Sequence, residues 1–452
     1  MADSTKSGSA VVTVTLRTIT INSASGNNWL ANCSGTVVYN VTQSGIVAGD
    51  TFYVDPYQSS PVTSSLPATF PIILGIGNAP PNVCSPGAYN EYVKGTDGAV
   101  SNTHYVPVLD RWNTWAGYDT TDEYQADYAG KAIHKYKLPD GTQDGADLPL
   151  RVQVAIIDGA NLVWSNLGNL GIGVSDAATG TFFNGNNRSG DNIVGVAAKN
   201  GIIGYTTNQE VSFFLEFVGG QNVADVSSVG TGPAAIAMSK GCSSDPNTAT
   251  AFVYDEAGST LYRADAVGTP VDQNGSATVS ASKIGGGVYL SGLSPASAAP
   301  KTLARYVVAW DNTCKAAVLA PIVTGTNPDG STAYNVELAL LDMTAGSMRQ
   351  LGTYVFSTTV NNVTTTIPST AIRVAADPAG NDVIVASTNE SAGTTILTKI
   401  AWTLDSSENP TFTVTTLNSV PPVGIYGVSL GVLPNGKISV GQRQQHFVLA
   451  AQ

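Results

Sequence analysis

The chain has 452 residues, of which only 12% are charged, with a net charge of −12 and 21 Lys plus Arg in all. No basic cluster exists to neutralise phosphates or to meet an anionic lipid surface, so nucleic-acid binding by counterion release and attraction to such a membrane are excluded. Apolar residues reach 42% and fall in short Val-, Ile-, Thr- and Tyr-rich runs between turns, the composition of many short strands rather than of a disordered chain.

No apolar run is long enough to cross a bilayer as a helix. The first ten residues are polar and lack the charged-then-apolar layout of an export signal, so synthesis in a cytoplasm, or a processed form, is expected. The four cysteines, Cys33, Cys84, Cys242 and Cys314, are far apart with no Cys-x-x-Cys pair. Free buried thiols are the expectation, with a Cys33–Cys84 bridge as the alternative.

In chain order, Val11 to Ile21 alternates with period two, and Ser34 to Val41 and Pro67 to Gly77 read as further strands. Breaks containing proline fall at Asp55 to Leu66 and Ala79 to Pro86. These features predict a small β-sandwich or barrel over 1–100, suited to anchoring or assembly, or else a first blade of the repeat fold downstream. Its boundary is expected between residues 86 and 103.

The stretch Tyr105 to Tyr136 holds Trp112, Trp115, Tyr118, Tyr124, Tyr128 and Tyr136 among Asp110, Asp119, Asp122, Glu123 and Asp127. Aromatic faces beside carboxylates suit a sugar ring, which stacks on the rings and donates hydroxyl hydrogen bonds to the acids. Trp112, Trp115, Tyr118, Asp119, Asp122 and Tyr124 are therefore the candidate glycan or protein contacts, and two of the acids could serve glycosidic acid–base chemistry. An aromatic-packed domain junction explains the same composition. Asp140, Asp144 and Asp147 form a weak calcium candidate in a Gly-containing loop whose spacing does not match an EF-hand; a solvated turn is the plainer reading.

From about residue 150 one layout recurs: an apolar strand, a tight polar turn, and a second apolar strand. The turns lie at Asp158-Gly159, Lys199-Asn200-Gly201, Asp255 to Gly258, Asp311-Asn312, Asp377 to Asn381 and Pro434-Asn435-Gly436. Such turns between alternating runs mark hairpins, and their spacing of about 40 to 65 residues is near or above the blade period of β-propellers. Asp342 to Gly346 reads as another hairpin turn rather than as part of a helix over Val336 to Leu351.

Ile372-Arg373-Val374-Ala375-Ala376-Asp377-Pro378-Ala379-Gly380-Asn381-Asp382-Val383-Ile384-Val385-Ala386-Ser387 resembles a blade of the bacterial β-propeller repeat family, with its Asp-Pro-x-Gly-Asn turn. Thr395 to Ile400 is similar to the third strand of such a blade, and Val432 to Gly441 resembles a second copy. The resemblance implies a fold, not an activity. The whole chain is thus expected to be all-β, an N-terminal β-sandwich or barrel-like module followed by a six- to seven-bladed β-propeller over 104–452. Its last strand, Gln445 to Ala450, is expected to join an upstream strand in one blade and so close the ring.

Catalytic motifs do not survive their context. Gly427-Val428-Ser429-Leu430-Gly431 matches the nucleophile elbow Gly-x-Ser-x-Gly, but no helix follows it. Gly75-Ile76-Gly77 runs into Ala79-Pro80-Pro81 instead of a helix that could hold a pyrophosphate. His104, His134 and His446 have no metal-ligand spacing, and the Asn-x-Ser/Thr sequons at Asn32, Asn40, Asn187, Asn274, Asn362 and Asn389 suit chance in such a composition.

The expected function is a non-enzymatic structural or attachment component of a virus particle, such as a phage head or tail fibre, decoration or receptor-binding protein. Its place is the virion, or else the extracellular surface. No cofactor is expected; the partners are further copies of the chain, other virion proteins and a host-surface glycan. The alternatives are a propeller lectin or glycosidase acting on surface polysaccharide, and an interaction scaffold inside a cell.

Overall fold

The computed structural model describes the strands of the first 111 residues, with few of their side chains, and most of the chain from 114 onward. Its longest undescribed stretches there are 187–192, 270–276, 294–305, 366–371 and 421–428. Every described element is a β-strand. The chain divides into two compact units, Met1–Arg111 and Trp112–Gln452.

In the first unit, Thr18–Gly26, Thr36–Ser44 and Thr69–Gly75 form one antiparallel sheet. A second sheet runs in the order Trp29–Leu30, His104–Leu109, Gly87–Gly95, Phe52–Asp55. His104–Leu109 pairs with Gly87–Gly95, so residues 104–109, expected at the head of the propeller, belong to this unit. Cys33 and Cys84 lie outside the described residues.

The second unit is a seven-bladed β-propeller. Blade 1 is Thr114–Tyr118, Asp122–Asp127 and Ala132–Lys137; blade 2 is Val154–Asp158, Asn161–Ser165, Ile172–Asp176 and Phe182–Asn186. Blade 3 is Gly195–Lys199, Ile202–Thr206, Glu210–Leu215 and Ala224–Ser227; blade 4 is Pro233–Ser239, Thr248–Asp255, Thr260–Gly268 and Val279–Tyr289. Blade 5 is Tyr306–Ala309, Lys315–Thr326, Thr332–Asp342 and Arg349–Phe356; blade 6 is Ile372–Ala376, Asp382–Asn389, Thr394–Leu404 and Pro410–Val420. Blade 7 is Ser429–Val432, Ile438–Gln442 and Gln445–Leu449. The first strand of each blade packs beside the first strand of the next, and Ser429–Val432 packs beside Thr114–Tyr118, which completes the ring.

Period-two alternation makes a strand serve two neighbours at once. In Thr248–Asp255, Phe252 and Tyr254 join the apolar cluster shared with blade 5, while Ala249, Ala251 and Val253 join the one shared with blade 3. In Lys315–Thr326, Ala316, Val318 and Ala320 face blade 4 while Ala317 and Leu319 face blade 6. Both faces of these strands are buried, which explains their continuous apolar runs. Among the described residues, six apolar clusters straddle successive blade pairs from 1–2 to 6–7.

The structure corrects two expectations. Gln445–Leu449 pairs with Ile438–Gln442 as the third strand of blade 7, and blade 1 has its own three strands. Among the described strands none is exchanged between blades 1 and 7, so their joint is made by side chains. The cysteines expected as free thiols include a bonded pair: Cys242 and Cys314 form a disulfide with Cα atoms 4.3 Å apart. Cys242 lies in the turn between the first two strands of blade 4 and Cys314 in the matching turn of blade 5. Blade stacking explains the pairing: it sets equivalent turns of adjacent blades side by side, although they are 72 residues apart.

Candidate functional site: the channel mouth and the closing seam

The seven innermost strands end, at one mouth of the ring, in the first hairpin turns of the blades, five of which the sequence marks. One of them is the two-residue turn Asn200-Gly201, with φ of 56° and 74°, the left-handed pair that a type I′ hairpin turn demands. Charge gathers at this mouth from blades distant in sequence. Lys199 Nζ of blade 3 forms a 2.5 Å ion pair with Asp311 Oδ2 of blade 5. The Lys240 N–H of blade 4 donates to Asp311 Oδ1 at 3.3 Å. Tyr118 of blade 1 feels the same charges: burial pushes its phenol up, Lys199 works against that, and Asp311 and Asp377 of blade 6 add to it. Tyr118, Lys199, Asp311 and Asp377 thus bring four blades to one electrostatic neighbourhood.

The aromatic and acidic stretch of blade 1 divides between this mouth and the ring interior. Trp112 lies outside the described residues. Asp119 shapes the first hairpin turn: Oδ1 accepts the N–H groups of Thr121 and Asp122 at 2.7 and 2.8 Å, and Oδ2 accepts the Tyr124 hydroxyl at 2.8 Å. Burial works against its charge, but these donors outweigh it and hold its carboxyl below the usual range. Asp122 is buried and accepts from Thr121 Oγ1 at 2.9 Å. Tyr124 is fully buried in the cluster shared with blade 2, and burial followed by the Asp119 contact raises its phenol strongly.

Trp115 turns the other way, toward blade 7. Its ring lies against Gly431, where a Cβ would collide with the indole. Its Nε1 donates to Glu123 Oε1 at 3.1 Å. Glu123, with no exposed surface, also accepts from Gln125 Nε2 at 2.9 Å and from the Ser439 hydroxyl, and His446 Nε2 lies 3.2 Å from its Oε2. Ser429 Oγ donates to Gln125 Oε1 at 3.0 Å, and Gly441 leaves the space that the Gln125 amide fills. His446 stacks on Tyr136 with ring centroids 3.9 Å apart, and its Nδ1 donates to the Gly141 carbonyl at 3.0 Å. Among the described residues, this joint between blades 7 and 1 holds a buried polar network where the other six hold apolar clusters. Ser429 and Gly431, two members of the elbow-like Gly-x-Ser-x-Gly, are therefore strand residues of the closing seam.

The calcium candidate does not converge. Asp140 Oδ1 accepts the Thr142 N–H and hydroxyl, Asp144 pairs with Lys137 at 3.6 Å, and Asp147 lies 2.9 Å from His134 Nδ1. Each carboxylate serves a different partner, and among the described residues no three metal-ligating side chains gather. His134 also lies 3.4 Å from Asp127 Oδ2. The Asp127 contact raises the imidazole above its usual value, burial opposes it, and Asp147 adds to it. His104 has no described side chain, so its meeting with His134 lies outside the described residues.

Three further features escape a motif search. Glu216, fully buried at the seam of blades 2 and 3, accepts from Asn161 Nδ2 at 2.6 Å and shares a hydrogen bond with the Asp158 carboxyl. Burial first, then Asp158 beside it, push its carboxyl up to about 8. Nearby, Phe183 and Phe217 lie near-parallel with centroids 6.4 Å apart, and Phe182, Phe183 and Phe217 are 59%, 44% and 64% exposed. A β-bulge opposite Ser175 lies at Phe182 and Phe183 in the outermost strand of blade 2. The third feature is the inter-blade disulfide. A sequence signal existed for the mouth, since Lys199, Asp311 and Asp377 all sit in the recurring turns; pooling those turns by position would have grouped them.

No protein-family model and no curated protein matches the chain. Among solved structures, the WD40 repeats of RRP9 are 14% identical, covering 72% of this chain and 85% of that one at a TM-score of 0.41. A chain of a mitotic checkpoint complex is 11% identical over 75% and 90% at 0.45. A computationally designed protein is 11% identical over 75% and 97% at 0.42.

Proposed function

We propose that the chain is a non-enzymatic structural or attachment component of a virus particle, of the phage fibre, decoration or receptor-binding kind, working as a homo-oligomer beside other particle proteins. The observation that carries this reading is the disulfide between blades 4 and 5. Such bonds persist in oxidising surroundings and are rare in reducing cytosol, which suits a ring that acts outside the cell. The low charge and the separate N-terminal β unit, suited to anchoring, agree with it. The exposed Phe182, Phe183 and Phe217 give the ring an apolar edge of the kind that marks protein contact.

Mass spectrometry of purified particles tests it. The chain should be present in them with Cys242 and Cys314 oxidised; its absence, together with a monomeric mass for the purified protein in solution, would sink the reading.

A second reading, a surface-glycan lectin, is favoured by the channel mouth. There the half-buried Tyr118 ring lies near Asp311, Asp377 and Lys199, an aromatic face beside hydrogen-bonding charges. Asp119 and Asp122 are tied into the first turn, so the informative substitutions are Tyr118→Ala and Asp377→Asn. Either should abolish binding on a glycan array while leaving the melting curve in place. No binding by the unsubstituted chain would dispose of this reading.

A further inference from the structure

The Cys242–Cys314 bridge has an asymmetry that its position in matching turns does not require. Both cysteines are half-buried, and Cys314 touches a fixed cation. Arg263 Nη1, on the third strand of blade 4, lies 3.4 Å from Cys314 Sγ. The Arg263 side chain, 5% exposed, cannot swing away. Its Nε and Nη2 donate to Asp265 at 2.9 and 2.6 Å, and Nη1 donates to the Met343 carbonyl at 2.7 Å. Asp265 also accepts from Thr250 Oγ1 at 2.8 Å, and the Met343 N–H donates to the Cys314 carbonyl at 2.9 Å. The guanidinium, the peptide of Cys314 and two strands of different blades thus fix one another.

The thiolate is the reacting form of cysteine, and a guanidinium N–H aimed at the sulfur favours it. Asp265 offsets part of the Arg263 charge from the other end of the guanidinium, but the N–H at the sulfur remains. Lys315, next in sequence, and Asp342, its register partner, bring opposite charges, and Lys240 lies two residues before Cys242. Among the described residues, the direct contact of a cation with a sulfur falls on Cys314.

We propose that Cys242–Cys314 is a thiol–disulfide exchange site in which Cys314 is the activated sulfur and Arg263 its positioning residue. In the dithiol chain the Cys314 thiolate attacks one sulfur of a low-molecular-weight disulfide such as oxidised glutathione. That S–S bond breaks, and one glutathione leaves as thiolate and takes up a proton from water. Cys242 then gives up its proton and attacks the Cys314 sulfur of the mixed disulfide, and the second glutathione leaves as thiolate and is protonated. Two protein thiols are oxidised while one external disulfide becomes two thiols. Because the two turns meet only when blades 4 and 5 stack, the staple sets after those blades have docked. In reduction Cys314 is the better leaving sulfur.

The test reduces the full chain, removes the reductant, pulses it with iodoacetamide between about pH 5.5 and 9.5, and quantifies each cysteine peptide by mass spectrometry. Midpoints rather than rates are compared, so differences in access drop out. Cys314 should reach half-maximal alkylation at least about one pH unit below Cys242, about tenfold in thiolate fraction at neutral pH. Arg263→Gln should move the Cys314 midpoint up to that of Cys242 and slow re-oxidation by oxidised glutathione at least about fivefold, with Arg263→Lys in between. The proposal fails if both cysteines in the unsubstituted chain share a midpoint near the ordinary ~8.5. It fails equally if a folded Arg263→Gln leaves the Cys314 profile unmoved. Should the Gln variant not fold, the comparison of the two cysteines in the unsubstituted chain still decides.

Discussion

Glu123 shows what one residue is asked to do in this ring. It has no exposed surface and accepts from Trp115, Gln125 and Ser439, with His446 beside it. An acceptor-only carboxylate is the side chain that satisfies so many donors at once. Removing it strands them in a buried joint, so Glu123→Ala should cost about 3–5 kcal/mol in urea unfolding. Glu123→Gln keeps one acceptor oxygen and should cost less than half of that; equal losses would mean that packing, not hydrogen bonding, holds the seam. Glu216 makes the opposite case. Its folded value is raised to about 8 from an ordinary 4.5, so between those pH values the folded chain binds more protons than the unfolded one. Its stabilising contribution is whole below about pH 4.5, declines as pH rises, and is gone above about 8. Denaturant midpoints should therefore fall across that window, and Glu216→Gln, which keeps an acceptor for Asn161 and a donor for Asp158, should flatten the fall. An unchanged pH profile in the variant would remove Glu216 as its source.

At the scale of the strand and the turn, the disulfide and the seam glycine are the elements to test. Cys242→Ser should lower stability by about 4 kcal/mol, the loop-closure entropy of the 72-residue separation, measured against the oxidised chain in urea. A smaller loss would point to a denatured state already confined. Gly431→Ala pushes a methyl into the Trp115 ring and should cost a few kcal/mol, since the indole cannot yield without breaking its bond to Glu123. Much at this scale is legible in the sequence. The hairpins read at Asp158-Gly159, Lys199 to Gly201, Asp311-Asn312, Asp377 to Asn381 and Pro434 to Gly436 are all first hairpins of blades, because period-two runs and turn residues are local signals. The hairpin read at Asp255 to Gly258 is real but joins the second and third strands of blade 4. The first turn of that blade spans 240–247, too long to look like a tight hairpin, and this is one source of the uneven spacing between the recognised turns. The Cys242–Cys314 pair was not legible, because only the stacking of blades brings those two turns together.

For the whole molecule, the number of blades fixes which distant residues become neighbours, and nothing local announces that. Tyr118, Lys199, Asp311 and Asp377 meet only when seven first strands form a ring, and the aromatic stretch of blade 1 splits between mouth, core and seam for the same reason. Ring closure also makes the joints unequal. Six are apolar clusters, such as the one in which Phe252, Tyr254, Leu261, Val318 and Leu341 join blades 4 and 5 beside the disulfide. Among the described residues, the seventh relies on the hydrogen bonds of Glu123, Gln125, Ser429, Ser439 and His446, and no described strand is shared between its blades. Hydrogen bonds contribute a modest net free energy each, whereas each fully buried large apolar side chain contributes about 1.5–3 kcal/mol. The joint between blades 7 and 1, where the last blade of the ring meets the first, should therefore be the first to open. Native-state hydrogen exchange should show amides of Thr114–Tyr118 and Ser429–Val432 exchanging through a shared sub-global opening, while those of Thr248–Asp255 and Lys315–Thr326 exchange only on global unfolding. Glu123→Gln should lower the first opening energy and leave the second set apart from it. Uniform protection around all seven blades would instead mean that the polar seam is as strong as the apolar ones and that the ring unfolds as one unit.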